Sequence, residues 1–343
     1  MEDSRTVARV LVTGQLPEGA LDCLGDHGLF GPGAEGAGGG AVGVLGAGEP
    51  GPGAATLSPQ ALAELARNAS AIVCLLTDRI DAALVSAAPH LQVVATVSVG
   101  FDNVDLPAAT RAGIAVCNTP GVLDETTADL AFALILAASR RCSEAERELR
   151  AGKWHGWTLT GHLGRDVHGA TLGLVGYGNI ARAVERRARA FSMRVLHHRP
   201  RPTGSAGYVA DLDELVASSD IVSVHVPLTD ETRHLFDARR ISLMRPTAVL
   251  VNTSRGPVVD EDALAEALIE GRLYAAGLDV YEHEPAVSPR LLAAPNTVLL
   301  PHLGSATVAT RRAMACLATS AVAEVLAGRC PENVLNPEVL AGS

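Results

Sequence analysis

The sequence predicts an α/β protein made of two Rossmann-like or flavodoxin-like doubly wound parallel sheets. Three observations predict it. Short runs rich in β-branched residues alternate with helix-length segments almost from end to end, the pattern of parallel strands covered on both faces by crossover helices. The 343 residues exceed what a single hydrophobic core usually serves. A glycine-rich turn, Gly176-Tyr177-Gly178, stands between a strand-like and a helix-like run, as in the first βα turn of a doubly wound sheet.

In order along the chain, Val7–Thr13 reads as the opening strand. Residues Gly28–Ala55 are crowded with Gly, Ala and Pro and read as a flexible surface insertion. Ser58–Asn68 has helical character, and Ala71–Leu76, Val93–Val97 and Ala115–Cys117 are the next strands. The turn Asn118-Thr119-Pro120-Gly121 suits a connection between domains. Thr126–Arg150 reads as one long helix, apolar in its first half and charged in its second. Strands Thr171–Val175, Val195–His198, Ile221–Val224, Ala248–Asn252 and Ala276–Val280 follow, separated by the helical segments Ile180–Ala190, Asp211–Ser218 and Asp260–Glu270. Leu300-Pro301-His302 marks a second boundary before a last helix, Thr307–Ala327. The expected division is therefore a domain made from both chain ends, 1–118 plus 302–343, and an inserted domain, 119–301. An active site is expected in the cleft between them.

Composition removes several function classes. Lys+Arg 28 against Asp+Glu 38 gives a net charge of −10, the wrong sign for a phosphate-backbone binder. Aromatic residues make up 3%, which leaves few rings to stack on bases. No nucleic-acid partner is expected. Lys153 is the only lysine, so a Gly-Lys-Ser/Thr phosphate loop is excluded. The longest apolar stretch, Leu130–Ala138, is far short of the roughly 20 residues of a membrane span. Met1–Ala20 does not read as a secretory signal. The six cysteines are scattered without a Cys-x-x-Cys pair, so free thiols in a cytoplasmic protein are expected, with no disulfide framework and no metal site.

The turn after Thr171–Val175 spells Gly176-Tyr177-Gly178-Asn179-Ile180-Ala181 and runs into a helix. In that context the first glycine permits the tight turn, and the second lets backbone approach a pyrophosphate. The small Ala181 lets helix and strand pack closely, while the free N–H groups of the helix start attract phosphate. A second match, Gly46-Ala47-Gly48-Glu49-Pro50-Gly51, is a decoy, because Pro50 and Pro52 interrupt the helix that should follow. An NAD site normally carries an acidic residue about 20 positions on, at the end of the second strand. Here that strand ends His197-His198-Arg199-Pro200-Arg201, with no carboxylate before Asp211. Arg199 and Arg201 can pair with a 2′-phosphate, so NADP(H) is favoured and NAD(H) stays possible.

Three later segments carry chemistry. Asn252-Thr253-Ser254-Arg255-Gly256 ends a strand, and an arginine there can grip a carboxylate bidentately. Gly277-Leu278-Asp279-Val280-Tyr281-Glu282-His283-Glu284-Pro285 ends another with three acids. Leu300-Pro301-His302-Leu303-Gly304 places a histidine in the loop before the last helix. A carboxylate bonded to an imidazole fixes its tautomer and favours its protonated form, which makes a proton donor near neutral pH.

At these residues the sequence resembles the D-isomer-specific 2-hydroxyacid dehydrogenase family, in its glyoxylate/hydroxypyruvate reductase branch. The resemblance covers nearly the whole chain. It includes Ser98-Val99-Gly100-Phe101-Asp102-Asn103-Val104-Asp105, Asn118–Leu123, Leu163-Gly164-Arg165-Asp166 and His225-Val226-Pro227-Leu228-Thr229, besides Asn252–Gly256, Gly277–Pro285 and Pro301–Thr307. It implies that Arg255 binds the substrate carboxylate and polarises the carbonyl, that His302 is the general acid/base, and that Glu284 orients it. It also implies that the N–H groups of Val99 and Gly100 complete a carboxylate cradle, with Leu76 on the substrate side. Asp279 would lie near the nicotinamide carboxamide, and Val226, Pro227, Thr253, His302 and Gly304 would line the cofactor site with Gly176, Gly178, Asn179 and Ile180. A homodimer formed through the region around Thr126–Trp157 is implied too, with Trp154 or Trp157 at the neighbour's pocket. The expected reaction is NAD(P)H-dependent reduction of a small 2-oxo acid to the D-2-hydroxy acid.

Glu284 argues against the family's formate dehydrogenases, which usually carry glutamine there. A chain stopping at Ser343 is expected to lack the regulatory domain of long 3-phosphoglycerate dehydrogenases. A short form of that enzyme and a phosphite dehydrogenase stay open as alternatives. So does a non-enzymatic, dinucleotide-binding corepressor-like scaffold, although extended disordered tails are absent. A methyltransferase would give Arg255, Glu284 and His302 no common role.

Overall fold

The computed structural model describes residues 7–25, 27–31, 57–202 and 204–341. They form two compact units, each with one all-parallel sheet. One unit comprises residues 1–123 with 307–343, the other 124–306. His302 thus stands in the middle unit.

The terminal unit runs β1 (Arg9–Val12), β2 (Gly28–Phe30), α1 (Pro59–Ala66), β3 (Ala71–Cys74), α2 (Ala82–Ala87), β4 (Val93–Thr96), α3 (Leu106–Arg111) and β5 (Ala115–Cys117). Its strand order is β2-β1-β3-β4-β5, the flavodoxin-like order whose direction reverses between β1 and β3. Alternation of side chains across the pleat builds both faces. Leu11, Ile72, Val94 and Val116 bury on one side. Val10, Val12, Val73, Val93 and Ala95 bury on the other, under Ala318, Ala321, Val322 and Val325 of the last helix. The C-terminal segment therefore closes the N-terminal sheet.

The middle unit follows as α4 (Asp124–Ser139), α5 (Cys142–Arg150), β6 (Thr171–Val175), α6 (Asn179–Ala190), β7 (Arg194–His198), α7 (Leu212–Ser218), β8 (Ile221–Val224) and α8 (Ala238–Leu243). It ends with β9 (Val249–Asn252), α9 (Glu261–Ile269), β10 (Ala275–Leu278), α10 (Pro289–Ala293) and β11 (Thr297–Leu299), before α11 (Val308–Leu326) returns to the terminal unit. The order β11-β10-β9-β8-β6-β7 places a switch point between β6 and β8. Val249 and Val251 pack under α4 and α6, while Leu250 between them packs on the opposite face. Aspartates 211, 237 and 260 cap α7, α8 and α9 by accepting backbone N–H bonds.

Two expectations are corrected. The single helix over Thr126–Arg150 is two, because Arg141 turns left-handed at φ 55°. Arg165 N–H takes the Ser139 carbonyl at 2.8 Å, and Gly164 packs so close to Ser139 and Arg140 that a Cβ there would clash with their backbone. The start of the Gly-rich tract, Gly28–Phe30, is not loop but a strand paired in parallel with Arg9–Leu11. The rest of that tract from residue 32 to Ala55, including the Gly46–Gly51 decoy, lies outside the described residues.

Candidate active site

The carboxyl ends of the middle unit's strands carry the residues singled out above. At the switch point β6 turns through Gly176, whose φ of +88° favours glycine. A Cβ on Gly176 would stand 2.4 Å from the His225 carbonyl oxygen and 3.0 Å from a Val226 methyl. Gly176 N–H donates to the His198 carbonyl at 3.0 Å, which ties the turn to the end of β7. Gly178 caps α6 without a side-chain hydrogen bond, and space around it is open. Its helix, beginning Asn179-Ile180, thus presents first-turn N–H groups to an anion. Arg199 and Arg201 follow β7, and neither has an ion-pair partner among the described residues. Val226 and Pro227 follow β8.

β9 ends at Asn252, whose buried side chain shapes the next turn. Its Oδ1 accepts from Ser254 N at 3.0 Å and Ser254 Oγ at 2.8 Å, and its Nδ2 donates to the Arg255 carbonyl at 2.9 Å. Arg255 is extended at φ −142° and ψ 139°. The next residue, Gly256, lies so tightly on the turn after β10 that a Cβ would fall 1.8 Å from the Tyr281 oxygen. Only glycine permits that approach.

β10 ends one residue before Asp279, which is 1% exposed and accepts from Leu303 N at 2.6 Å and Gly304 N at 2.8 Å. Its own carbonyl takes His302 N–H at 2.9 Å. Burial lifts the Asp279 carboxyl above its ordinary range, against the pull of the Leu303 amide, His302 and the Gly304 amide. Thr127 of α4 adds a hydrogen bond to the Gly304 carbonyl at 3.1 Å. These contacts hold His302 in a left-handed conformation, φ 57°, rare for a residue with a Cβ.

His302 Nδ1 meets Glu284 Oε2 at 2.9 Å, and Glu284 Oε1 accepts from Tyr281 N at 3.0 Å. Burial pushes the Glu284 carboxyl up. The hydrogen bonds from His302 and Tyr281 and the positive charges of His302 and Arg255 outweigh it, leaving the group below the usual carboxylate range. An imidazole whose Nδ1 donates to a carboxylate presents Nε2 for proton transfer. Arg255, Glu284 and His302 therefore meet at one edge, a guanidinium close to a carboxylate that buttresses an imidazole. Val99, Gly100 and Leu76 stand at the carboxyl ends of β4 and β3 in the terminal unit.

The parts played by Asn252 and Asp279 in shaping these loops were missed by sequence reasoning. The signal for each was its position, as the last residue of a strand or the first beyond it.

The family model for the D-isomer specific 2-hydroxyacid dehydrogenase NAD binding domain matches residues 132–304. The glyoxylate reductase of Thermococcus litoralis is 44% identical over 292 residues, covering 82% of this chain and 88% of that protein. That of Thermococcus gammatolerans is 40% identical over 341 residues, 97% of each. The chain belongs to the D-isomer-specific 2-hydroxyacid dehydrogenase family. A crystal structure of a Thermus thermophilus protein superposes with a TM-score of 0.84 at 43% identity, over 95% of this chain and 99% of that one. An NADPH-dependent glyoxylate/hydroxypyruvate reductase of Sinorhizobium meliloti, solved with NADP and malonate, gives 0.83 at 32% identity, over 97% and 98%. The protein is thus an NAD(P)-dependent dehydrogenase with the family's two-sheet fold.

The residues present fit a nicotinamide dinucleotide. The open Gly178 helix start suits its phosphates. Thr253 Oγ1, buried at the β9 edge with no hydrogen-bond partner among the described residues, has a polar group left to satisfy. Gly256→Ala tests how this edge is assembled. With backbone 1.8 Å from the new methyl, the variant should lose about 3 kcal/mol or more of stability in urea unfolding. A variant as stable as the parent would show that the two turns are not in contact.

Proposed function

We propose that the protein reduces a small 2-oxo acid of the glyoxylate or hydroxypyruvate kind to the D-2-hydroxy acid, using NADPH in preference to NADH. The observation that carries this reading is the His302–Glu284 pair with Arg255 beside it. The names of the glyoxylate reductase relatives support the substrate class, and the NADP-bound neighbour supports the cofactor. In this reading residues 124–306 bind the dinucleotide, and the terminal unit supplies substrate-side groups.

Arg255 grips the substrate carboxylate and draws charge from the carbonyl. The reduced nicotinamide, when bound, supplies hydride to the carbonyl carbon. His302 Nε2 gives its proton to the carbonyl oxygen, while Nδ1 keeps its proton and its bond to Glu284. Val99 and Gly100 offer N–H groups to a substrate carboxylate, and Leu76 borders the substrate. Thr253, Val226, Pro227, Ile180 and Gly304 border the cofactor, with Asp279 toward its carboxamide. Arg199 and Arg201 pair with the 2′-phosphate.

The chain acts as a homodimer through the face after α5, where Trp154, Trp157, Leu159 and Leu163 are exposed. Trp157 is 80% exposed, so packing inside its own core does not account for it. All six cysteines are free thiols, which fits a reducing, cytoplasmic setting. Among the described residues, no helix is long and apolar enough to cross a membrane.

His302→Ala should lower glyoxylate turnover about 10²–10⁴-fold with NADPH binding retained; steady-state rates near wild type would remove the proton-transfer role. Arg255→Ala should chiefly raise KM, with some loss of kcat, and an unaltered KM would contradict the anchor. Replacing Arg199 and Arg201 together by Ser should shift the kcat/KM ratio toward NADH, and unchanged selectivity would place the 2′-phosphate elsewhere. Trp154→Glu with Trp157→Glu should convert the dimer to monomer in light-scattering chromatography. A dimer that persists would locate the interface away from this face.

A further inference from the structure

We infer that Asn118 and Ser98 are positioning residues, Asn118 turning the Gly100 N–H toward a substrate carboxylate and Ser98 bracing the Val99–Gly100 turn from its far side. This rests on the 2-oxo acid reading proposed above.

Peptide planes set the directions of these N–H groups. The only cis peptide bond among the described residues is Glu284–Pro285, so the bonds around Val99 are trans and each N–H points opposite to the carbonyl of its own plane. After β4 the Ser98 carbonyl is taken by Thr119 N–H at 2.9 Å. That fixes the 98–99 plane and turns Val99 N–H the other way. The Val99 carbonyl is taken by Asn118 Nδ2 at 2.8 Å, which fixes the 99–100 plane and turns Gly100 N–H outward too. The Gly100 carbonyl is held by Ser98 Oγ at 2.5 Å, which fixes the 100–101 plane and braces the turn beyond the two N–H groups. With its one proton so used, Ser98 Oγ accepts from Thr96 Oγ1 at 2.9 Å.

Three successive carbonyls are thus drawn inward, toward the β5 edge and the Ser98 hydroxyl. The N–H groups of Val99 and Gly100 donate to no group among the described residues. Neither residue is fully buried, whereas Asn118, Ser98 and Thr96 are. Two aimed and unused donors, preorganised by buried side chains, form a small anion cradle. Asn118 is itself pinned, because its carbonyl takes Asn333 Nδ2 at 2.6 Å and its N–H donates to the Asn333 carbonyl at 3.3 Å.

Asn118 touches no reacting atom. Its loss frees one peptide plane to rotate, so the effect falls on carboxylate affinity and leaves dinucleotide affinity in place. The test uses oxalate, a planar dicarboxylate, measured by calorimetry on the NADPH-loaded protein and as an inhibitor of glyoxylate reduction. Asn118→Leu removes the donor at similar volume. It should weaken oxalate and raise the glyoxylate KM by about ten- to a hundredfold, the range for a lost hydrogen bond to a charged group. NADPH affinity should hold within about twofold, and kcat should change far less than KM.

Ser98→Ala removes a single oxygen and should act in the same direction with a smaller change. It decides the matter if Asn118→Leu fails to fold by circular dichroism. A folded variant that binds oxalate like the parent overturns the inference. So does a loss of NADPH affinity matching the loss of oxalate affinity, the mark of general loosening. If the parent reduces no 2-oxo acid, the functional reading fails by itself. The calorimetric comparison with oxalate still decides whether Asn118 and Ser98 aim the cradle.

Discussion

The hydrogen bond between His302 Nδ1 and Glu284 Oε2 joins two loops that leave neighbouring strands, β10 and β11, and it exists only while both loops are pinned. A charge-assisted bond of this kind is short-ranged and directional, so displacing either partner by an ångström would lose most of it. The pins are all backbone-directed. Asp279 accepts two amides of the histidine loop, and Thr127 holds the Gly304 carbonyl. On the other side Tyr281 N–H holds Glu284, while Glu261 accepts from the amides of Glu282 and Ser288 at 3.0 and 2.6 Å. Burial of Glu284 works against its charge, and the local positive groups more than offset that.

Sheet topology explains why such distant residues share an edge. In an open parallel sheet every strand delivers its loop to the same end, and ligands bind where the strand order reverses. Gly176 stands at that reversal, pressed against the His225 carbonyl. Arg255, Asp279 and His302 follow β9, β10 and β11 in turn. One edge therefore carries the open Gly178 helix start at the switch point and the Glu284–His302 pair farther along. In the terminal sheet, the turn after β4 leaves the Val99 and Gly100 amides without an acceptor among the described residues.

Much of this was legible in the sequence. Apolar strands separated by helices specify a parallel sheet almost by themselves, and the Gly176–Gly178 turn announces its role through its flanks. Arg255, Glu284 and His302 stood out because their motifs occur together. Features set by distant contacts were not legible. The break at Arg141 depends on Arg165 taking a helix carbonyl from 26 positions away, and no local propensity records that. Gly28–Phe30 became a strand because β1 offered it an edge, although its composition reads as loop. Asn118 looked like part of a turn, and its partner Asn333 lies near the other end of the chain. Asp279 read as a carboxylate near the nicotinamide carboxamide, and its hold on the amides of Leu303 and Gly304 in a distant loop was not legible.

The most direct measurement is kcat for 2-oxo acid reduction, alongside NADPH affinity, in the parent and in Glu284→Gln. The carboxylate accepts from the imidazole Nδ1 and fixes its orientation, and glutamine keeps the shape while removing the charge. Proton delivery from Nε2 depends on that bond, so the variant should lose about tenfold or more in kcat, with NADPH affinity unchanged. A kcat equal to the parent's would contradict the account, because it would show that the Glu284–His302 bond does not govern the proton delivered to substrate.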